Sequence, residues 1–254
     1  MEQTYYEPDW EFHFRSVDYK PGSIAVDLGL AKIAPVADLP NLLEVSVKIV
    51  DPRPDGLSSL QETIVLQSLE DDLEEALRTS CKATYAGRLT SNGHRKVYFY
   101  VGEANGYADH IQHVMKNYSG HNYSFKMVKD ADWSRYFNFL YPEPDQLQSI
   151  QNRKVLEEME ENGDDLSKER PVDHWIYFKT EADRTAFLES IAKENYDVVT
   201  CDYLASSEDF PHRLHISRTD KVDQLNIDKV VLRLRRLALK HNGDYDGWET
   251  SIEV

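Results

Sequence analysis

The spacing of apolar residues switches between a period of two and a period near 3.6, and the switches are sharpest in the last third of the chain. Residues 172–178, VDHWIYF, are rich in β-branched and aromatic side chains and predict a strand. Thr180 stands where an N-cap belongs, and Ala182, Phe187, Leu188 and Ile191 form a helical stripe behind it. Residues 196–204 and 213–218 predict two further strands, separated by the polar, proline-containing ASSEDFP. Leu225, Val230, Val231, Leu234, Leu237 and Ala238 mark one side of a long helix over 222–241. Its interleaved Arg and Lys face water, with cations at the C-terminal end where the helix dipole favours them. WETSIEV closes as a strand. The order β-α-β-β-α-β is the split βαβ, ferredoxin-like arrangement, an antiparallel sheet with both helices on one face and with first and last strands adjacent.

The first half supports the same reading. WEFHFRSV and GSIAVDLGL predict an opening hairpin around DYKPG, and LLEVSVKIV alternates apolar and polar residues until DPRPDG breaks it. Ser58 or Ser59 can cap the amphipathic LQETIVLQSLEDDLEEALRTS. Two strands meet at Asn92–Gly93, a favoured tight-turn pair. YADHIQHVMKNYS predicts a short helix, GEANGYADH the loop leading into it, and NYSFKMVKD a strand. From Leu42 onward this is again β-α-β-β-α-β. The chain is therefore read as α+β, two ferredoxin-like (βαββαβ) domains with antiparallel sheets and helices packed on one face; one continuous sheet is the alternative. The domains span residues 1–141 and 168–254, with an acidic helical linker over 142–167. The aromatic DWSRYFNFLYP before that linker should pack on the first domain. Pro144 starts the connecting helix and Gly163 stops it, leaving Glu157, Glu158, Glu160, Glu161, Asp164 and Asp165 as its solvated face and end.

A formal net charge of −16 narrows the partners. It repels phosphate backbones, which argues against direct nucleic-acid binding and suits docking onto a basic protein. Two cysteines, Cys81 and Cys201, make neither a disulfide framework nor a metal site. MEQTYYEPDWEF lacks the basic start and apolar core of a signal peptide, and no apolar run is long enough to span a bilayer, so a cytoplasmic protein without membrane contact is expected.

No catalytic constellation is expected. GxSxG, GxxxxGK[ST] and GxGxxG are all missing, and neither cysteine has flanks that suggest activation. His110 and His113 are three apart on a helix but lack the acid of HExxH, and His212 and His215 should point to opposite faces of a strand. GDYDGWET resembles the start of a calcium loop but is too short before its strand begins. Its acids are better explained by Gly243 ending a helix and Asp244 to Gly247 turning the chain. No metal or cofactor follows. In VDHWIYF, Trp175 and Tyr177 point opposite to Ile176 and Phe178, so they lie on the open sheet face if the latter face the helices. RNA-recognition modules stack bases on such aromatics, but their signature motif is missing here and the charge is wrong. A protein interface is the better account.

ERPVDHWIYF, DRTAFLESI and the closing GDYDGWET together resemble the bacterial regulator of ribonuclease E activity, type B (RraB). Farther upstream, GLSSLQETIVLQSLEDDLEEAL, RKVYFYV and DWSRYFNFLYP are similar to a bacterial family of unknown function often fused to that module. The resemblance implies a small acidic protein that binds the endoribonuclease and lowers its activity by contact. Expected partners are a ribonuclease E/G-type endoribonuclease or another basic protein, through Asp173, Trp175 and Tyr177 with Tyr245, Asp246, Trp248 and Glu249. Trp248 is equally suited to the core. The alternative is a binding module for a small ligand or an unrelated protein.

Overall fold

A computed structural model describes residues 6–102 and 106–253 and divides into two units, residues 1–146 and 147–254, each built on its own sheet. In the first unit, β1 (Trp10–Val17) and β2 (Lys20–Asp27) form the opening hairpin. Asp18 and Tyr19 make its tight turn in the left-handed region. There follow β3 (Asn41–Lys48), α1 (Leu60–Cys81), β4 (Thr84–Ser91), β5 (His94–Val101), α2 (Tyr107–Met115) and β6 (Tyr123–Lys129). The sheet order is β1-β2-β4-β5-β3-β6. Without the hairpin it is the ferredoxin-like order, and the hairpin lengthens the sheet beyond β4. Asn92 and Gly93 form the β4–β5 turn with positive φ, and the Ser59 hydroxyl accepts from Glu62 N to cap α1. Residues 103–105, in the middle of GEANGYADH, and residues 1–5, where MEQTYYEPDWEF begins, lie outside the described residues.

Leu43, Val45 and Val47 face Leu66, Leu69, Leu73 and Leu77 of α1 and Ile111 of α2 on one side of this sheet. Part of the other side is buried too. The aromatic run packs there as expected: Trp133, Tyr136 and Leu140 cover Ile24, Val26, Leu42, Tyr98 and Tyr100. Trp133 is stacked on Tyr100 with centroids 3.8 Å apart. Burying such rings requires partners for their polar tips, and Trp133, Tyr100 and Tyr136 each have one. Trp133 Nε1 donates to Leu39 O at 3.1 Å, Tyr100 Oη to Asp130 at 2.6 Å and Tyr136 Oη to Asp27 O at 2.8 Å.

The second unit contains α3 (Pro144–Glu161, most of which it includes), β7 (Glu169–Phe178), α4 (Glu181–Ile191), β8 (Asp197–Tyr203), β9 (His212–Lys221), α5 (Gln224–Lys240) and β10 (Gly243–Thr250). Its order β10-β7-β9-β8 is the ferredoxin-like order, with the first and last strands of the module adjacent. Thr180 and Asp223 cap α4 and α5 through their side chains. Val172, Ile176, Phe178, Leu214 and Ile216 of the sheet pack with Phe187 of α4 and Ile227, Val231 and Leu234 of α5. Leu156 and Met159 of α3 enter the same core, so the helix expected as a connector is also a packed element of this unit.

Two local expectations change. Gly243 does not end α5 in the left-handed region; Asn242 does, with φ 52°, and Gly243 already belongs to β10. Gly243 is needed for space, because a Cβ there would lie 2.6 Å from the Phe178 ring. Asp244 to Gly247 is therefore strand, not turn. Asp164 is likewise no part of a solvated face. Its side chain is buried and accepts from both Arg170 Nη1 and Nη2, at 2.5 and 2.8 Å, and from Glu253 N at 2.9 Å. The Arg170 hydrogen bonds hold its carboxyl below the usual aspartate range. Glu157, Glu158, Glu160 and Glu161 do face solvent. Among the described residues no helix is long and apolar enough to cross a membrane.

Candidate functional site

Strand alternation gives β7 two different faces. His174, Ile176 and Phe178 are buried, while Asp173, Trp175 and Tyr177 are partly exposed on the face away from the core. The register sets Trp175 beside His215, Tyr177 beside Arg213 and Asp173 beside Ser217 of β9. Trp175 stacks on the His215 imidazole with centroids 4.4 Å apart and ring planes 17° from parallel. His215 Nε2 lies 2.9 Å from Asp173 Oδ1. Arg213 reaches Asp202 of β8 at 2.6 Å, which holds that carboxyl below its ordinary range.

On the other flank, β10 places Asp244 beside Tyr177, Gly247 beside Trp175 and Glu249 beside Asp173. Gly247 leaves the Trp175 ring without a neighbouring side chain from that strand, and nothing lies within 4 Å of where its Cβ would be. The face is thus an aromatic pair bordered by Asp173, Asp202, Asp244 and Glu249, with Arg213 and His215 as its cations or donors. Such a face offers stacking, hydrogen bonding and negative charge. Asp173 and His215 are the kind of pair from which a general base is made. Here the carboxylate engages Nε2 and the ring is stacked against Trp175.

The expected docking residues divide. Asp173, Trp175, Tyr177 and Glu249 share the face. Tyr245 and Trp248 lie on the opposite side, in or against the core. The reason is a β-bulge between Tyr245 and Gly247 that inserts Asp246 and shifts the phase of the strand. Asp246 itself is exposed at that bulge. Tyr245 Oη is 2.8 Å from Nδ1 of the fully buried His174. Burial pushes the Tyr245 hydroxyl well above its ordinary pKa and, with Arg218 nearby, pushes the His174 imidazole down to about 3. Trp248 Nε1 donates to Asn152 Oδ1 at 3.0 Å, and Asn152 Nδ2 donates to Asp228 of α5 at 2.8 Å. These polar tips fasten helices to the sheet.

Asp202, Arg213, His215 and Asp244 are the members of the face that sequence reasoning missed. The signal for them was register: each stands opposite, or one strand beyond, a residue already singled out. Among the described residues no group of three or more His, Cys, Asp or Glu could hold a metal ion.

Comparison with known proteins adds two family matches. Residues 8–141, more than half of the chain, match the family of unknown function DUF695. Residues 149–250 match the regulator of ribonuclease activity B. A search of curated proteins found no match. Among solved structures, an unknown protein from Galdieria sulphuraria is similar at 13% identity and TM-score 0.23, covering 84% of this chain and 98% of its own. A putative glycine cleavage system transcriptional repressor is similar at 10% identity and TM-score 0.24, covering 83% and 98%. The chain belongs to the DUF695 family, and its C-terminal part carries the RraB module.

Proposed function

We propose that this protein is a regulator without chemistry of its own, which binds a ribonuclease E/G-type endoribonuclease and lowers its activity by contact. The observation that carries this reading is a coincidence of place. The segment matched to the ribonuclease regulator contains a sheet face with no helix of its own unit over it among the described residues, and that face carries Trp175, Tyr177 and four carboxylates. Aromatic residues supply most of the energy in protein interfaces, and bordering acids steer a basic partner into place. The net charge of −16 favours a protein partner over RNA, since RNA would have to approach against that field.

The test is an RNA-cleavage assay with purified ribonuclease E, with and without the full chain. Cleavage should slow as the protein is added. Trp175→Ala with Tyr177→Ala should abolish the effect, and Asp173→Asn with Glu249→Gln should weaken it more at low salt than at high. Unchanged cleavage at saturating protein would sink this reading.

A further inference from the structure

The second face of the first unit's sheet is covered only in part. Beside the aromatic cover, a cavity of about 500 Å³ opens on that face, with the β1–β2 turn residues Val17, Asp18 and Lys20 along its rim. Across its floor the register sets Leu89, Lys96, Ser46 and Ser124 of four successive strands side by side. The neighbouring row holds Tyr98, Glu44 and Lys126. Glu44 is buried, and its Oε1 is shared by Lys126 Nζ at 3.4 Å and Lys96 Nζ at 3.7 Å. Both separations are longer than a charge-assisted hydrogen bond. One carboxylate therefore partly satisfies two ammonium groups and holds both at the cavity. Lys20, Lys96 and Lys126 outnumber Asp18 and Glu44 in the lining, a positive balance inside a strongly negative chain.

From this lining we infer that the cavity binds a small organic anion, a carboxylate or phosphate ester that also bears an apolar group. The anionic end lies between Lys96 and Lys126, where Glu44 keeps the ammonium groups in place before the ligand arrives. Ser46 and Ser124 supply hydroxyl donors beside it, and Leu89 and Val17 offer apolar surface to the rest of the molecule. The volume is that of a small-molecule site. Glu44 is at once the positioner of the two lysines and a competitor for them, so removing its charge should tighten anion binding. The inference is independent of the proposed action on a ribonuclease.

The experiment is an NMR titration of the full chain with phenyl phosphate, phenylacetate and, as an uncharged control, benzyl alcohol. One saturable site is expected, shifting the amides of Ser46, Lys96 and Ser124 with at least one anion and not with the alcohol. The tighter of the two anions identifies the phosphate or the carboxylate class. Lys96→Gln with Lys126→Gln should weaken binding about tenfold or more, and Glu44→Gln should strengthen it about tenfold. The inference is overturned if neither anion moves these amides, if benzyl alcohol moves them equally, or if the double lysine variant binds as the parent does. The comparison of anion with alcohol decides the matter on the parent protein even if a variant folds poorly.

Discussion

Apart from the opening hairpin of the first, the two units share a strand order, and they treat the second face of the sheet differently. In the first, Trp133, Tyr136 and Leu140 close over Tyr98 and Tyr100, and their polar tips are satisfied inside the unit. In the second, Trp175 and Tyr177 stay partly exposed, and their neighbours Asp173, Arg213, His215 and Glu249 are polar. The same kind of side chain on the same kind of sheet thus has two roles. Where a downstream aromatic segment folds back, the rings become core. Where none does, they remain a surface whose rings are held by a carboxylate–imidazole pair and an arginine rather than by packing.

Trp133→Ala removes a fully buried ring stacked on Tyr100 and should cost the first unit about 3–5 kcal/mol in denaturant unfolding. A loss near that of an exposed aromatic would mean that the aromatic cover is not core. In the second unit the matching liability is polar. Asp164→Ala leaves the Arg170 guanidinium buried without its counter-ion and should cost about 3 kcal/mol or more. Asp165→Ala, one residue away and exposed, should cost less than about 1 kcal/mol and serves as the control.

A third effect depends on pH. His174 is neutral in the folded protein, with its pKa lowered to about 3, whereas the unfolded chain takes up a proton near the ordinary histidine value. The unfolded state then binds more protons between those two values, so the His174 contribution is complete above the unfolded pKa and is lost as pH falls toward the folded one. The slope is about 1.4 kcal/mol per pH unit from this residue. His174→Gln should flatten that dependence for the second unit alone, as followed by the NMR signals of that unit's amides across a pH series of urea melts. An unchanged slope would show that His174 is not the group being titrated. Trp175→Ala should likewise cost less than about 1 kcal/mol and, on the proposed function, should cause the largest loss of ribonuclease binding. A large loss of stability would instead make Trp175 a packing residue, and the contrast between the two sheets would collapse.

Much of the architecture was legible because it rests on local chemistry. Asn92–Gly93, the Thr180 cap, a serine cap at 58 or 59 and the switch of apolar spacing each follow from short stretches of chain. The exposed side of VDHWIYF was legible for the same reason, since alternation is a property of the strand itself. The far strand of the site was not. One inserted residue, Asp246, reverses which side chains face the core, and no composition rule distinguishes a bulge at Asp246 from an uninterrupted strand. The burial of Asp164 was hidden in a similar way. It sits in a run of acids that look alike, and only the arginine at the start of β7 sets it apart.

The α3 helix has a practical meaning for anyone who would cut this chain. A fragment starting at residue 168, where the recognisable strand motif begins, would discard Leu156 and Met159 from its core, Asn152 from the Trp248 indole and Asp164 from Arg170. It would expose apolar surface along one side and leave a guanidinium stranded, and aggregation on expression is the expected outcome. A piece that keeps α3 retains those contacts, so the helix that looks like a tether belongs to the module that follows it.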